Sequence, residues 1–271
     1  KDKTNNIEYC ENHGDITMSG TGSAYAGGTQ RFGGFCAQFT NGTVKILGGF
    51  KNTGNITYAG TQNSTTGVSL GGFIGGNDGT GVFSASSTGN IINEGRITYS
   101  GKSKGATYMA GIVAFYNGGT FLPNHVKLIN TGDIYCTGTN DSGTNTFSGI
   151  MGTGVSEVDD VQCFCTIYAP YHGVDSGNRK AAMYAMICKN PRTAGKTLFR
   201  NAKVGGVIVK ERDNFDDSDI RIKMTSSNFF EYLYGTMPDW SSITPEYDGC
   251  TVISSKDQID YSEKTAPTPE A

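Results

Sequence analysis

The nine-residue stretch NTGNITYAG, residues 52–60, has three further versions in the first half of the chain. These are NHGDITMSG at residues 12–20, NEGRITYSG at 93–101 and NTGDIYCTG at 130–138. The leading asparagines, Asn12, Asn52, Asn93 and Asn130, are separated by 40, 41 and 37 residues. A fixed period in this range is typical of repeat proteins whose neighbouring units bury their apolar faces against one another.

Each repeat contains two more landmarks, which predict strands joined by turns. The first pairs glycine with a large apolar residue, as in Phe32-Gly33-Gly34-Phe35, Leu70-Gly71-Gly72-Phe73, Met109-Ala110-Gly111-Ile112 and Phe147-Ser148-Gly149-Ile150. The second is an apolar run before the next asparagine, as in Val44-Lys45-Ile46-Leu47, Asn90-Ile91-Ile92 and Val126-Lys127-Leu128-Ile129. Together with the alternating Ile-x-x segment, these landmarks predict three short strands per period.

We therefore predict an all-β protein, a right-handed parallel β-helix (β-solenoid) with a decorated C-terminal coil and a cap. The four asparagines are expected to stack as a structural ladder at one corner, because equivalent residues lie over one another in such a stack. One coil per period is favoured over two, since the landmarks do not divide the period evenly. Two other repeat folds fit less well. The Trp-Asp signature of β-propeller repeats is absent from this sequence, and a β-trefoil has three repeats rather than four.

The pattern divides the chain into three parts. Residues 1–155 are expected to form the four repeats, and residues 156–263 degenerate coils and a C-terminal cap of the same domain. Residues 264–271 are expected to be a tail. Terminal repeats that depart from the consensus are what a solenoid needs to cover its end.

Composition narrows the class of protein. Glycine provides 39 of the 271 residues, 17% of residues are charged and the formal net charge is -3. No basic cluster suggests a nucleic-acid partner, and no apolar run is long enough to span a membrane. Low charge with abundant Gly, Ser, Thr and Asn favours an extracellular or outer cell-surface location. The sequence starts at Lys1 without methionine. The expected surface location therefore includes a form that was lipid-anchored before N-terminal processing.

The seven cysteines form no Cys-x-x-Cys pair, so the sequence indicates neither a zinc site nor a thioredoxin-type motif. We interpret them as small buried apolar residues rather than disulfide partners. No cofactor is predicted.

Candidate binding residues are few, and each has an ordinary structural explanation. Tyr168, Tyr171, His172 and Trp240 could present rings to a sugar, although packing onto the protein body is the better explanation for each. The acidic stretch with Asp213, Asp216, Asp217 and Asp219 is the one candidate for a hard-cation site, but it lacks the EF-hand spacing. No catalytic motif occurs, and the pair Asp159-Asp160 does not identify a glycosidase.

The repeats, such as Leu70-Gly71-Gly72-Phe73-Ile74-Gly75-Gly76-Asn77 leading to Asn93-Glu94-Gly95-Arg96-Ile97, resemble the glycine-rich repeats of bacterial surface proteins, including those of GLUG-motif type. The chain is similar over residues 10–154 to secreted or lipid-anchored β-helix proteins of gut Bacteroidetes. The resemblance implies a surface-exposed parallel β-helix, often with an adhesin-like role. It assigns no functional residue, because the matching positions are turns.

The sequence thus favours a non-catalytic surface protein whose loops bind a glycan or a host component. Two alternatives stay open, a polysaccharide lyase or glycoside hydrolase on the same scaffold and a purely structural spacer. The oligomeric state is not predicted. Because the repeated motif is interpreted as scaffold, activity is expected from the positions that vary between repeats and from the second half.

Overall fold

The structure is a computed structural model. It describes residues 4–22, 29–62, 67–77, 79–85, 89–116, 120–122, 126–140, 145–152, 157–169, 182–187, 198–212, 216–223, 246–248 and 251–263. Throughout these residues the secondary structure is almost entirely β, with a single 3-10 turn at Lys256–Gln258.

The four repeats form four stacked coils, each built from up to six short strands. Coil 1 contains β1 (Thr4–Ile7), β2 (Cys10–Asn12), β3 (Ile16–Met18), β4 (Thr21–Gly22), β5 (Gln30–Gly33) and β6 (Cys36–Phe39). Coil 2 contains β7 (Thr43–Ile46), β8 (Gly49–Asn52), β9 (Ile56–Tyr58), β10 (Thr61–Gln62), β11 (Val68–Gly71) and β12 (Ile74–Asn77). Coil 3 contains β13 (Val82–Ala85), β14 (Asn90–Asn93), β15 (Ile97–Tyr99), β16 (Lys102–Ser103), β17 (Thr107–Ala110) and β18 (Val113–Tyr116). Coil 4 contains β19 (Thr120–Leu122), β20 (Lys127–Asn130), β21 (Ile134–Cys136), β22 (Thr139–Asn140) and β23 (Asn145–Ser148).

Further strands continue the stack beyond the repeats. They are β24 (Glu157–Asp159), β25 (Val161–Ala169), β26 (Ala182–Ala185), β27 (Leu198–Arg200), β28 (Lys203–Arg212), β29 (Asp216–Lys223), β30 (Glu246–Asp248) and β31 (Thr251–Val252). β29 pairs antiparallel with β28, whereas the other strand pairs are parallel.

Parallel pairing joins each strand to its equivalent one coil away, which confirms the predicted parallel β-solenoid. One sheet runs β2-β8-β14-β20-β25 and another β5-β11-β17-β23-β26. Asn52 pairs directly with Asn93, so each period is one coil rather than two.

The prediction of three strands per coil was wrong, because glycine bends divide the expected strands. The Leu70 landmark, for example, covers the last two residues of β11 and a bend at Gly72-Phe73, after which β12 begins at Ile74. A Cβ on Gly72 would lie 2.1 Å from the carbonyl oxygen of Gly111 on the next coil, so only glycine permits this close approach.

The apolar runs before each asparagine are also not all equivalent. Val44 in β7 pairs with Phe83 in β13, whereas Ile91 in β14 pairs with Phe50 in β8 and Leu128 in β20. The run at residues 44–47 therefore belongs to a different sheet from the other two. The sequence analysis grouped this run with residues 90–92 and 126–129 on hydrophobicity alone. That grouping was wrong because two consecutive strands of each coil have similar apolar composition.

The core is a stack of identical or similar side chains along the solenoid. Ile56, Ile97 and Ile134 lie directly over one another and are fully buried, with Ile167 of β25 above them. Each buried isoleucine contributes about 1.5–3 kcal/mol. Cys136, Cys163 and Cys165 are buried apolar fillers as predicted, whereas Cys10 and Cys36, on the outermost coil, are only partly buried; these five described cysteines are free. Cys188 and Cys250 lie outside the described residues.

Beyond the repeats the corner with the asparagines disappears. β25 is nine residues long and pairs with both β20 and β21, so one continuous strand replaces two strands and a turn. Its residue at the ladder position is Cys163. Asn201 does not repeat the Asn motif, because Val204 pairs with Cys163 and Asn201 lies in the preceding bend with φ of 53°.

Residues 253–263, here called the C-terminal strap, return across the outer surface of coils 3 and 4 and of β25. Ile253 and Ile259 pack on Ile129. Lys127, whose side chain is 6% exposed, donates to Asp260 Oδ2 at 2.7 Å. Asp260 also exchanges two hydrogen bonds with the side chain of Gln162. The strap therefore fixes Lys256, just before its middle, close to the Asn-x-Gly turns.

Candidate functional site

The turn that follows each ladder asparagine combines an inward-facing hydrogen-bond network with outward-facing side chains. Asn93 Nδ2 donates to Gly95 O at 2.9 Å and to Asn130 Oδ1 at 2.8 Å, while its Oδ1 accepts from Asn52 Nδ2 at 2.7 Å. Asn12 makes the corresponding bond to Asn52 Oδ1. The ladder holds the four turns in register, one above another.

Three columns of side chains project outward from these turns. The residue after each asparagine gives His13, Thr53, Glu94 and Thr131. The residue before each isoleucine gives Asp15, Asn55, Arg96 and Asp133. The middle residue of the following strand gives Thr17, Thr57, Thr98 and Tyr135. Because equivalent strands pair directly, neighbours within a column are about 4.8 Å apart.

The column before the isoleucines forms a second, partial ladder. Asp15 Oδ1 accepts from the backbone N–H of Asn55 at 2.7 Å, and Asn55 Oδ1 accepts from the N–H of Arg96 at 3.0 Å. Asp133 Oδ1 accepts from the N–H of Thr166 at 2.8 Å. Each of these oxygens bonds the next coil, so the column is anchored to the scaffold.

Arg96 interrupts this ladder, since a guanidinium accepts no hydrogen bond. Its Nη2 lies 3.8 Å from Asp133 Oδ2, and its Cζ lies 5.6 Å from the ring centre of Tyr135. The Tyr135 ring stacks in turn on Tyr168, with centres 4.6 Å apart and planes 12° from parallel. The result is a continuous row of cation and rings.

These columns and the C-terminal strap enclose a surface groove of about 490 Å³. The groove extends over all four coils, from Asp15 to Asp133. Other lining residues are Asn55, Thr57, Glu94, Arg96, Thr98, Thr131 and Gly132. Lys256 of the strap completes it, and its ammonium donates to Thr131 O at 2.6 Å.

The charges of the groove are largely paired within the protein. Glu94 Oε2 lies 3.0 Å from Lys51 Nζ, and both oxygens of Asp133 have partners in Thr166 N–H and the Arg96 guanidinium. Asp15 Oδ2 has no hydrogen bond within the described residues. Most groups that face the groove are thus held in fixed positions before any ligand arrives.

The sequence-predicted binding residues are not brought together by the described part of the structure. Tyr168 lies in β25 with one ring face against Tyr135, so that face is unavailable to a sugar. Tyr171, His172, Trp240 and Asp213 lie outside the described residues.

The acidic candidates Asp216, Asp217 and Asp219 lie on β29, which pairs with β28 and has a register shift between Asp216 and Asp219, rather than in the flexible loop that a hard-cation site favours. Among the described residues, no group of three or more His, Cys, Asp or Glu side chains could hold a metal ion.

Sequence reasoning missed the groove because its residues belong to the motif itself. The invariant Asn, Gly and Ile point inward or form the turn, while the variable positions between them line the groove. One motif position is occupied by four charged or polar residues, Asp15, Asn55, Arg96 and Asp133. This variation was the sequence signal that could have indicated the groove. No sequence signal pointed to Lys256, because it lies 125 residues from its partner Thr131.

Comparisons of the chain with protein-family models, with curated proteins and with solved structures gave no match. Within the residues that the structure describes, no helix has the length and apolar character required to cross a membrane.

Proposed function

We propose that this protein is a non-catalytic, adhesin-like β-solenoid that acts outside the cell or at its outer surface and binds a glycan or a host component in the groove. The observation that carries the proposal is a polar groove, fixed by two hydrogen-bond ladders, that crosses four coils. Low charge and the resemblance of the repeats to bacterial surface proteins support the location.

The chemistry of the lining suits a polyhydroxylated ligand. Threonine hydroxyls both donate and accept, the asparagine amide does the same, and Arg96 and Lys256 donate only. Three steps of about 4.8 Å give a length of about 14 Å between the ends of the groove. The volume of about 490 Å³ lies within the range of small-ligand sites. We therefore expect a short stretch of a glycan to lie along the solenoid axis.

The same contacts disfavour an enzyme. Glycoside hydrolysis uses two carboxyl groups on either side of the scissile bond, one of which changes its protonation during the reaction. Each groove carboxylate has a partner within the protein: both oxygens of Asp133, Oε2 of Glu94 and Oδ1 of Asp15. These contacts support a positioning role for the carboxylates rather than an acid–base pair.

The test compares two threonines of the same column. Thr98 lines the groove, whereas Thr17, its equivalent in coil 1, does not. A glycan array with the intact protein identifies a ligand, and calorimetry then measures it against Thr98→Val and Thr17→Val. Thr98→Val removes a hydroxyl that can hydrogen-bond to the ligand. Loss of one such hydrogen bond, worth about 1 kcal/mol, should weaken binding about fivefold. Thr17→Val should bind like the wild type.

Other outcomes would overturn the proposal in distinct ways. Cleavage of uronic-acid polymers or other glycans, detected as new reducing ends in parallel, would establish the enzyme instead. Absence of binding to any glycan or host extracellular component would favour the structural spacer. Equal loss in both valine variants would show that the ligand lies elsewhere on the column.

A further inference from the structure

The two cations that line the groove lie toward one end of it. Arg96 belongs to coil 3, and Lys256 of the strap reaches the coil-4 turn, where its ammonium donates to Thr131 O at 2.6 Å. The opposite end, at coil 1, contains Asp15, whose Oδ1 accepts from the backbone of coil 2. The groove therefore has a cationic end rich in donors at coils 3 and 4, and an acceptor end at coil 1.

The charges at the cationic end do not cancel. Arg96 faces one carboxylate, with its Nη2 3.8 Å from Asp133 Oδ2. Lys256 forms no ion pair with any carboxylate in the described part of the chain. Glu94, the other carboxylate near this end, lies 3.0 Å from Lys51 and is neutralised by it. Two cations against one carboxylate leave this end of the groove with a net positive charge.

The donors of these two cations are mostly unused. The Arg96 guanidinium carries several N–H groups, and it makes an ion pair and a ring contact but no hydrogen bond to another described residue. Lys256 uses one N–H on Thr131 O and keeps the others. Asp133 cannot turn toward Lys256 without losing the bond that its Oδ1 accepts from the N–H of Thr166. The unused donors are therefore available to an acceptor that enters the groove.

Lys256 is placed at the groove by the strap and not by an attraction to a groove carboxylate. The ion pair between Lys127 and Asp260, 2.7 Å long, anchors the strap beside it. The next carboxylate along the strap, Asp257, accepts from Ser255 Oγ and does not line the groove. An ammonium held in this way can attract an incoming anion without first releasing a carboxylate of the protein.

We propose that the coil 3–4 end of the groove is a subsite for the carboxylate or sulfate group of an acidic glycan, with Arg96 and Lys256 as the specificity-determining residues. The inference rests on the proposed glycan binding and adds the class of glycan. Paired N–H groups of a guanidinium match the oxygens of a carboxylate or sulfate, and the ammonium adds a second charge. The rest of the glycan extends toward coil 1, where Asp15 accepts from its hydroxyls.

A glycan array with matched pairs tests the class of ligand. Uronic-acid oligosaccharides are compared with their carboxyl-reduced counterparts, and sulfated oligosaccharides with their desulfated counterparts. The intact protein should bind an acidic member and bind its neutral counterpart about tenfold more weakly or less. The two kinds of pair distinguish a carboxylate from a sulfate. Equal binding of both members of every bound pair would overturn this inference but leave glycan binding intact, whereas binding to no glycan would overturn both.

Lys256→Gln tests the position of the subsite. Glutamine keeps a donor for Thr131 O but removes the charge, so calorimetry should show about tenfold weaker binding of the acidic glycan and less than about a twofold change for its neutral counterpart. Arg96→Gln should weaken binding of the acidic glycan to a similar extent.

Lys45→Gln is the matched control, because it removes the charge of an exposed lysine on β7, in another sheet and outside the groove. It should bind like the wild type, and thermal midpoints show that all three variants are folded. Unchanged binding in both groove variants would place the anionic group elsewhere and overturn the inference. An equal loss in Lys45→Gln would also overturn it, since the effect would then come from the overall charge of the protein.

Discussion

Replacement of Asn93 by aspartate tests whether the ladder determines the stability of the solenoid. Asn93 is fully buried and makes three side-chain hydrogen bonds, two of them as a donor. Aspartate has nearly the same shape but lacks both N–H groups. The variant therefore loses the bonds to Gly95 O and Asn130 Oδ1 and places oxygen against oxygen at both contacts.

The expected penalty follows from those contacts. Two lost hydrogen bonds cost about 2 kcal/mol, and burial of acceptors without donors adds about 1–2 kcal/mol. Asn130 Oδ1 keeps its bond from the N–H of Gly132, which limits the second contribution. We expect Asn93→Asp to lower the free energy of unfolding by about 3–4 kcal/mol, a large part of the 5–15 kcal/mol that is usual for a domain.

Asn12→Asp is the matched control, because it removes the same two donors at the partly exposed end of the ladder. Water can replace the lost partners there, so a loss of about 1 kcal/mol or less is expected. Urea unfolding followed by circular dichroism measures both variants. Hydrogen exchange of β8, β14 and β20 shows whether the loss is local. If the two variants unfold within 1 kcal/mol of each other, the ladder is not what secures the interior coils.

Three other perturbations have defined outcomes. Gly95→Ala should lower the thermal midpoint by the equivalent of about 1–3 kcal/mol, because its Cβ would lie 2.0 Å from a carbonyl oxygen of the preceding coil; an unchanged melting curve would refute this. The hydrogen bond from the Lys127 ammonium holds the pKa of Asp260 well below its usual range, so the strap should be fully held above about pH 4 and increasingly released as the pH falls below that value. Exchange of the strap amides at pH 7 and pH 3 measures this release, and protection that does not change with pH would contradict it. Burial raises the pKa of Cys136 to about 12, so maleimide at pH 8 should label partly exposed Cys10 well before Cys136, and mass spectrometry would detect the opposite order if the packing were wrong.

The repeat predicted the features that depend on like residues stacking on like. The one-coil period and the column of Ile56, Ile97 and Ile134 follow from the spacing of the motif, because a parallel stack places equivalent residues in contact. These are local and periodic properties, and a single sequence displays both. The last Asn-x-Gly phrase begins at Asn130, and the equivalent position one coil later is Cys163.

Features that depend on particular long-range contacts could not be predicted. Lys127 and Asp260 are 133 residues apart, and nothing in either neighbourhood indicates their pairing. The fusion of two strands into β25 follows from the missing turn, but its register on β20 and β21 is set by packing. The groove depends on the periodic repeats and on a long-range contact together, because its floor comes from the repeats and one wall from Lys256.

Arg96 occupies a motif position where the needs of the scaffold and those of the proposed binding groove differ. Asp15, Asn55 and Asp133 each accept a backbone hydrogen bond from the following coil, and arginine at position 96 gives up that bond. A solenoid selected for stability alone would favour asparagine or aspartate here, as in the other three repeats. The contacts of Arg96 with Asp133 and Tyr135 are exposed and compensate only in part, by about 0.5–1 kcal/mol. The cation at the centre of an otherwise acidic and neutral column is therefore better explained by what it contributes to the groove than by what it contributes to the fold.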